Sequence, residues 1–157
     1  MPVKKKVVKQ QEKQKMVDFR TAVKRFWTNY TNFDGVAQRS EFWFAELFVF
    51  VTGCLLDLLE MAVPLMGFLS WLWCLAIFIP GLSLGARRLH DAGFSAKWLL
   101  YFWGTICLAF LLLFMGYFSL WFVLLSEIAC LVAGGILIFL LVVSFLPSKL
   151  KNNPYRK

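Results

Sequence analysis

Two long stretches of the chain, residues 42–86 and 98–148, are strongly apolar and contain no basic residue. A membrane-spanning helix needs about 20 mostly apolar residues, so each stretch is long enough for two spans. The pattern therefore predicts an all-α, polytopic membrane protein built on a bundle of four transmembrane helices. The predicted spans cover residues 42–59, 65–86, 98–118 and 125–146.

A different periodicity precedes the first span. Between positions 16 and 30, apolar residues recur at spacings of three and four, and the remaining face is basic, which is typical of an amphipathic helix. We expect this helix to lie in the inner membrane interface, with its apolar face in the acyl boundary. The alternative is a helix docked on the ends of the bundle. The apolar positions are Met16, Phe19, Val23, Phe26 and Tyr30, and the basic ones are Arg20, Lys24 and Arg25.

The chain divides into four parts. Residues 1–15 are rich in Lys and Gln and favour a disordered basic arm, because they offer little apolar surface to bury. Residues 16–39 form the predicted interfacial helix and a turn, residues 40–147 the transmembrane domain, and residues 148–157 a basic cytoplasmic tail. Ser40 is expected to cap the first span and Glu41 to interact with its helix dipole.

Composition agrees with the membrane class. Hydrophobic residues make up 60% of the chain and charged residues 17%, whereas soluble domains have roughly 45–50% and 25%. A soluble monomer is therefore excluded.

The net charge of +8 is distributed unevenly. All 17 basic residues fall in three segments, with ten in residues 1–41, three in 87–97 and four in 149–157. An even number of spans places these segments on one side, which the positive-inside rule makes cytoplasmic. The pattern predicts a multi-pass membrane protein with both termini in the cytoplasm, and it does not favour a nucleic-acid partner.

Glu46 is an acidic residue within the first predicted span. A carboxylate inside the bilayer is costly, so it should face protein or find a cation. Arg87 and Arg88, at the end of the second span, are the available partners, and a structural ion pair with either one is one interpretation. There are two alternatives. The Glu46 carboxylate reaches the membrane interface and has no special role, or it takes part in transport or proton transfer.

The segment RRLHDAGFS, between the second and third spans, holds the other group of polar residues. Arg87, Arg88, His90 and Ser95 form a candidate site for a phosphate or an anionic lipid headgroup, because guanidinium groups bind phosphate in a bidentate way. Gly93 is expected to make the turn. The competing interpretation is a short basic loop that only fixes topology.

Catalysis and metal binding have little support. The chain has one His, and its four Cys lie far apart within apolar spans without a ligand spacing. We expect no enzymatic activity, no cofactor, no metal and no disulfide.

Three short segments resemble a known family. GVAQRSEFWF before the first span, ARRLHDAGFS after the second and NNPY near the end are similar to the family called domain of unknown function 805, the bacterial inner-membrane proteins like YhaH and YhaI. The resemblance covers about residues 26–155. It implies a small protein of the bacterial inner membrane whose function is undetermined.

These observations favour a non-enzymatic membrane protein that binds anionic lipid, or a partner protein, through a basic cytoplasmic face. A homo-oligomer or a membrane-protein partner is compatible with the pattern. The alternative function is a small oligomeric transporter or channel subunit in which Glu46 and an arginine line a pathway between protomers.

Overall fold

The computed structural model describes residues 16–63, 67–117, 119–150 and 153–155. Within these ranges the protein is all-α and contains no strand. The predicted disordered arm, residues 1–15, lies outside them. The helices are α1 (Phe19–Thr28), α2 (Arg39–Ala62), α3 (Gly67–Ala92), α4 (Lys97–Met115) and α5 (Leu120–Phe145).

Helices α2 to α5 confirm the predicted set of four spans. Each is long and apolar enough to cross a membrane. Large side chains along them face outward, including Phe50, Trp71 and Leu131, which are 69%, 76% and 77% exposed. Such a surface suits lipid rather than water, since soluble proteins rarely expose wide apolar patches.

The spans form two antiparallel hairpins, α2 with α3 and α4 with α5, and the pairing of α4 with α5 is the most extensive. As a result α2 and α4 begin, and α3 and α5 end, at the same end of the bundle. We call it the basic end, because α1 also lies there and the described Lys and Arg residues are found on or beside these segments.

Helix α1 is docked on the bundle. Its N-cap is Asp18, whose carboxylate accepts a hydrogen bond from the Thr21 amide, and this bonding lowers the pKa of Asp18. Phe26 is 1% exposed and packs in a core with residues of α2 and α3. The Ser40 hydroxyl accepts from the Val17 amide and does not cap α2, whose N-cap is Gln38. The burial of Phe26 supports the docked alternative, while Met16 and Phe19 of the same apolar face remain exposed.

A proline in α3 helps to hold the segment after α1. Pro80 has no amide hydrogen, so the Ala76 carbonyl one turn earlier loses its usual helical donor. The Tyr30 hydroxyl donates to this carbonyl at 2.9 Å, and the nearby Ser83 hydroxyl donates to the Asn29 carbonyl at 2.8 Å. The carbonyl that Pro80 leaves without a helical donor thus accepts a tertiary hydrogen bond.

The sequence RRLHD is helical, which corrects its assignment to a loop. Helix α3 continues to Ala92 and ends in a Schellman motif, in which the Gly93 amide donates to His90 and the Phe94 amide to Leu89. Gly93 has a φ of +88°, which confirms the predicted turn there. The helix continues past the apolar run because Arg, Leu and Ala are good helix formers, and glycine then supplies the stop.

Replacing Gly93 by valine is expected to destabilise this end of α3 by at least about 1–2 kcal/mol, because a β-branched residue is strained at positive φ. A Cβ atom would also lie 2.7 Å from Cδ of Lys149. Thermal unfolding in detergent is the measurement. Gly104→Val is the control, since a Cβ there meets nothing within 4 Å and its φ is ordinary. Equal effects of the two substitutions would contradict the role of the turn.

Candidate functional site

The basic end contains a buried carboxylate between two arginines. Glu41, in the first turn of α2, accepts from Arg25 of α1 at 2.9 Å and from Arg87 of α3 at 3.0 Å. The Glu41 side chain is 3% exposed and that of Arg87 is 5% exposed, whereas Arg25 is half-exposed. One buried acidic group therefore links three helices.

Arg87 depends on Glu41 for its charge compensation. Only Nη1 of its guanidinium contacts the carboxylate, and its Nε and Nη2 have no hydrogen-bond partner in the part of the chain that the structure describes. The amide of Ala37 donates to the Arg87 carbonyl at 3.0 Å, so the turn before α2 is also fixed to α3. Removal of Glu41 would leave a buried cation alone.

Arg88 forms a second buried pair one position further along α3. Its Nη1 donates to Asp91 at 2.7 Å, and the two side chains are 2% and 0% exposed. Its other nitrogens donate to carbonyls at the end of α5, where the last turn of a helix runs short of amide donors. Arg88 thereby joins the α2–α3 hairpin to the α4–α5 hairpin. The accepting carbonyls are those of Val143, Ser144 and Leu146.

The C-terminal tail closes over the end of α3. The Ser148 hydroxyl donates to the Asp91 carboxylate, and the Lys149 amide donates to the Asp91 carbonyl at 2.8 Å. The Asn153 side-chain amide donates to the His90 carbonyl at 2.7 Å. The Tyr155 ring stacks on the His90 ring, with centroids 3.9 Å apart. These described tail residues are part of the folded end.

The predicted ion pair of Glu46 with Arg87 or Arg88 is corrected by this geometry. Among the described residues, Arg87 pairs with Glu41 and Arg88 with Asp91, while Glu46 takes part in no ion pair. Glu46 is half-buried on another face of α2, where it lines a cavity between the hairpins. Five residues along a helix correspond to a rotation of about 140°, so Glu41 and Glu46 cannot face the same neighbour.

The candidate anion site is assembled differently from the sequence hypothesis. Arg87, Arg88 and His90 lie together at the end of α3, but they are only 4%, 2% and 8% exposed. Ser95 is beyond the turn, where its hydroxyl accepts from the Lys97 amide at 3.3 Å. The two guanidinium groups are used inside the protein, so they do not present an open fork to a headgroup.

Several members of this cluster were not predicted as site residues. Glu41 was assigned only to the helix dipole, and Arg25 only to a basic helix face. Asp91 lies in the last turn of α3. Asn153 and Tyr155 contact the end of α3 from the tail, across about 60 residues in the case of Asn153. The signal for the tail was the NNPY segment, whose Asn and Tyr supply these contacts.

A family model described as "Protein of unknown function (DUF805)" matches residues 30–157, which include α2 to α5 and the tail. The chain belongs to the DUF805 family. The match covers the buried pairs Glu41–Arg87 and Arg88–Asp91, so the charged end of the bundle lies within the family region. Neither the name of this family nor the names of the relatives below give an enzymatic activity.

Two curated relatives from Escherichia coli (strain K12) are similar to part of the chain. Inner membrane protein YhaI is 39% identical over 75 residues, which is 47% of this chain and 64% of YhaI. Inner membrane protein YhaH is 37% identical over 79 residues, which is 47% of this chain and 65% of YhaH. The matched part thus spans less than two thirds of either relative. No solved structure matches the chain. The DUF805 chain is an integral membrane protein of an uncharacterised family.

Proposed function

We propose that the protein binds anionic lipid headgroups through its basic end, at the cytoplasmic face of the bacterial inner membrane, and is not an enzyme. The names of the two relatives support the inner membrane. The one-sided distribution of the basic residues supports a cytoplasmic orientation of the basic end and of both termini. A protein partner at the same surface is the competing outcome.

The observation that carries the proposal is the outward side of α1. Phe26 and Ala22 are buried against the bundle, so Arg20 and Lys24 remain exposed. Phe19 is also exposed, at 46%, beside these cations. A surface that combines an aromatic ring with cations suits the headgroup region, where rings enter the interface and cations meet phosphate.

Further cations surround this helix side at the basic end. Lys97 begins α4 and Lys149 follows α5, and both are exposed. Arg87 and Arg88 are not part of the proposed surface, because their charges are compensated by Glu41 and Asp91. The sequence hypothesis placed the headgroup site at the end of α3. We propose instead that the exposed cations around that end bind the headgroup.

Arg20→Gln combined with Lys24→Gln is expected to weaken anionic-lipid binding by about 2 kcal/mol, or roughly thirtyfold, since each cation near an anionic surface contributes about 1 kcal/mol. The measurement is the phosphatidylglycerol retained per protein after detergent washing, determined by mass spectrometry. The charge-preserving variant Arg20→Lys with Lys24→Arg is the control and should match the wild type. Unchanged retention in the neutral variant would contradict the proposal and leave a protein partner as the better candidate.

A small oligomeric transporter is the second candidate function, and the cavity that contains Glu46 favours it. Four helices enclose little space for a continuous pathway, so transport would need several copies of the chain. The mass of the protein–detergent complex, corrected for bound detergent, tests this requirement. A stable dimer or larger assembly supports the candidate, and a strict monomer contradicts it.

A further inference from the structure

A cavity of about 510 Å³ lies between the α2–α3 and α4–α5 hairpins. This volume is within the range of small-molecule sites, about 300–1,000 Å³. Its wall is mainly apolar and is rich in aromatic rings contributed by several helices. The rings include those of Phe42, Trp43, Phe78, Phe102 and Trp103.

The cavity wall contains a carboxyl group without an ion-pair partner among the described residues. Among the residues that the structure describes, Glu46 is the one acidic residue in this wall, and none forms an ion pair with it. Arg88 also contributes to the wall, but its guanidinium is paired with Asp91 at 2.7 Å and bonded to carbonyls of α5. The positive charge is therefore compensated outside the cavity, and the carboxylate of Glu46 is available to an occupant.

We propose that this cavity binds a lipophilic monocation, such as an onium ion with aromatic substituents. The cation would be attracted by the Glu46 carboxylate and by the faces of the surrounding rings, since aromatic faces favour positive charge. Its apolar substituents would fill the rest of the wall. A lipid acyl chain or another neutral occupant would gain the apolar contacts without using Glu46.

This site is separate from the anionic-lipid surface in place and in ligand charge, and it does not depend on that proposal. Arg20 and Lys24 are on the outside of α1, whereas the cavity is lined by residues of the spans and by Phe26. Binding to the cavity also does not require transport, so a monomer is sufficient. A variant that loses lipid binding and retains cation binding, or the reverse, distinguishes the two sites.

The experiment compares two probes of the same shape and opposite charge on the full-length protein in non-ionic detergent. Tetraphenylphosphonium should bind saturably at one site per chain, and tetraphenylborate should bind at least about tenfold more weakly. Binding of each probe is measured by the quenching of tryptophan fluorescence, since Trp43 and Trp103 line the cavity. Equal binding of the cation and the anion would overturn the proposal.

Glu46→Gln should weaken tetraphenylphosphonium binding at least about tenfold. Glu127→Gln is the matched control, because Glu127 is an exposed carboxylate in a span and does not line the cavity. It should bind the probe as the wild type does. Unchanged binding in Glu46→Gln, or an equal loss in both variants, would overturn the assignment of Glu46.

A second pair of variants tests the cavity without changing any charge. Gly81 lines the wall, and a Cβ atom built on it meets nothing within 4 Å, so Gly81→Leu fills the cavity without a clash at the backbone. It should abolish probe binding. Gly104→Leu is the control, since Gly104 is equally open but lies outside the wall. Retained binding in Gly81→Leu would overturn the proposal even if Glu46→Gln failed to fold.

Discussion

Replacing Arg88 by methionine is expected to lower the free energy of unfolding by about 3–5 kcal/mol, the usual loss when one partner of a buried ion pair is removed. Asp91 is 0% exposed and would lose its cationic partner. The carbonyls at the end of α5 would also lose the hydrogen bonds that the guanidinium donates. Denaturant titration in mixed micelles measures this quantity.

The control for this prediction is Lys24→Met, which removes an exposed cation of the same end. Its effect should stay within about 0.5 kcal/mol, as for most surface substitutions. Arg88→Lys should fall between the two, since lysine keeps the charge but cannot reproduce the planar fork. A loss under 1 kcal/mol in Arg88→Met would show that the pair does not hold the hairpins together.

Replacing Glu41 by glutamine is expected to lower the free energy of unfolding by about 3 kcal/mol, because the buried guanidinium of Arg87 would lose its counter-charge. Glu46→Gln, the same change five residues later in α2, should be neutral or stabilising, since Glu46 is paired with no described residue. The same titration serves both variants. A larger loss in Glu46→Gln than in Glu41→Gln would reverse the assignment of partners.

The four spans could be predicted because they depend on a local property, a long apolar run without cations. The structure confirms all four, with shifts of a few residues at their ends. The amphipathic helix was also visible from its periodicity. The docking of this helix on the bundle could not be predicted, because an apolar face shows the same pattern whether lipid or protein covers it. The burial of Phe26 at 1% exposure and the Arg25–Glu41 ion pair separate the two.

The charged site was harder to predict because its partners are set by helix rotation and by long-range contacts. Glu46 lies within the predicted span and Glu41 precedes it, so their sequence positions point to Glu46 as the acid in need of a partner, although the two residues face different sides of α2. The continuation of α3 placed Arg88 and Asp91 three residues apart on a helix, where side chains meet. Tail residues such as Asn153 contact this end across about 60 positions of the chain, a pairing that no local pattern predicts.

The basic end is closed by internal ion pairs, with Glu41 as the acidic partner of Arg87. A double-mutant cycle of Glu41→Gln and Arg87→Gln measures this pairing most directly, with Glu46→Gln and Arg87→Gln as the parallel cycle. We expect a coupling free energy of roughly 1–3 kcal/mol for the first pair and about zero for the second. Additive losses for Glu41 and Arg87, together with coupling between Glu46 and Arg87, would contradict the account.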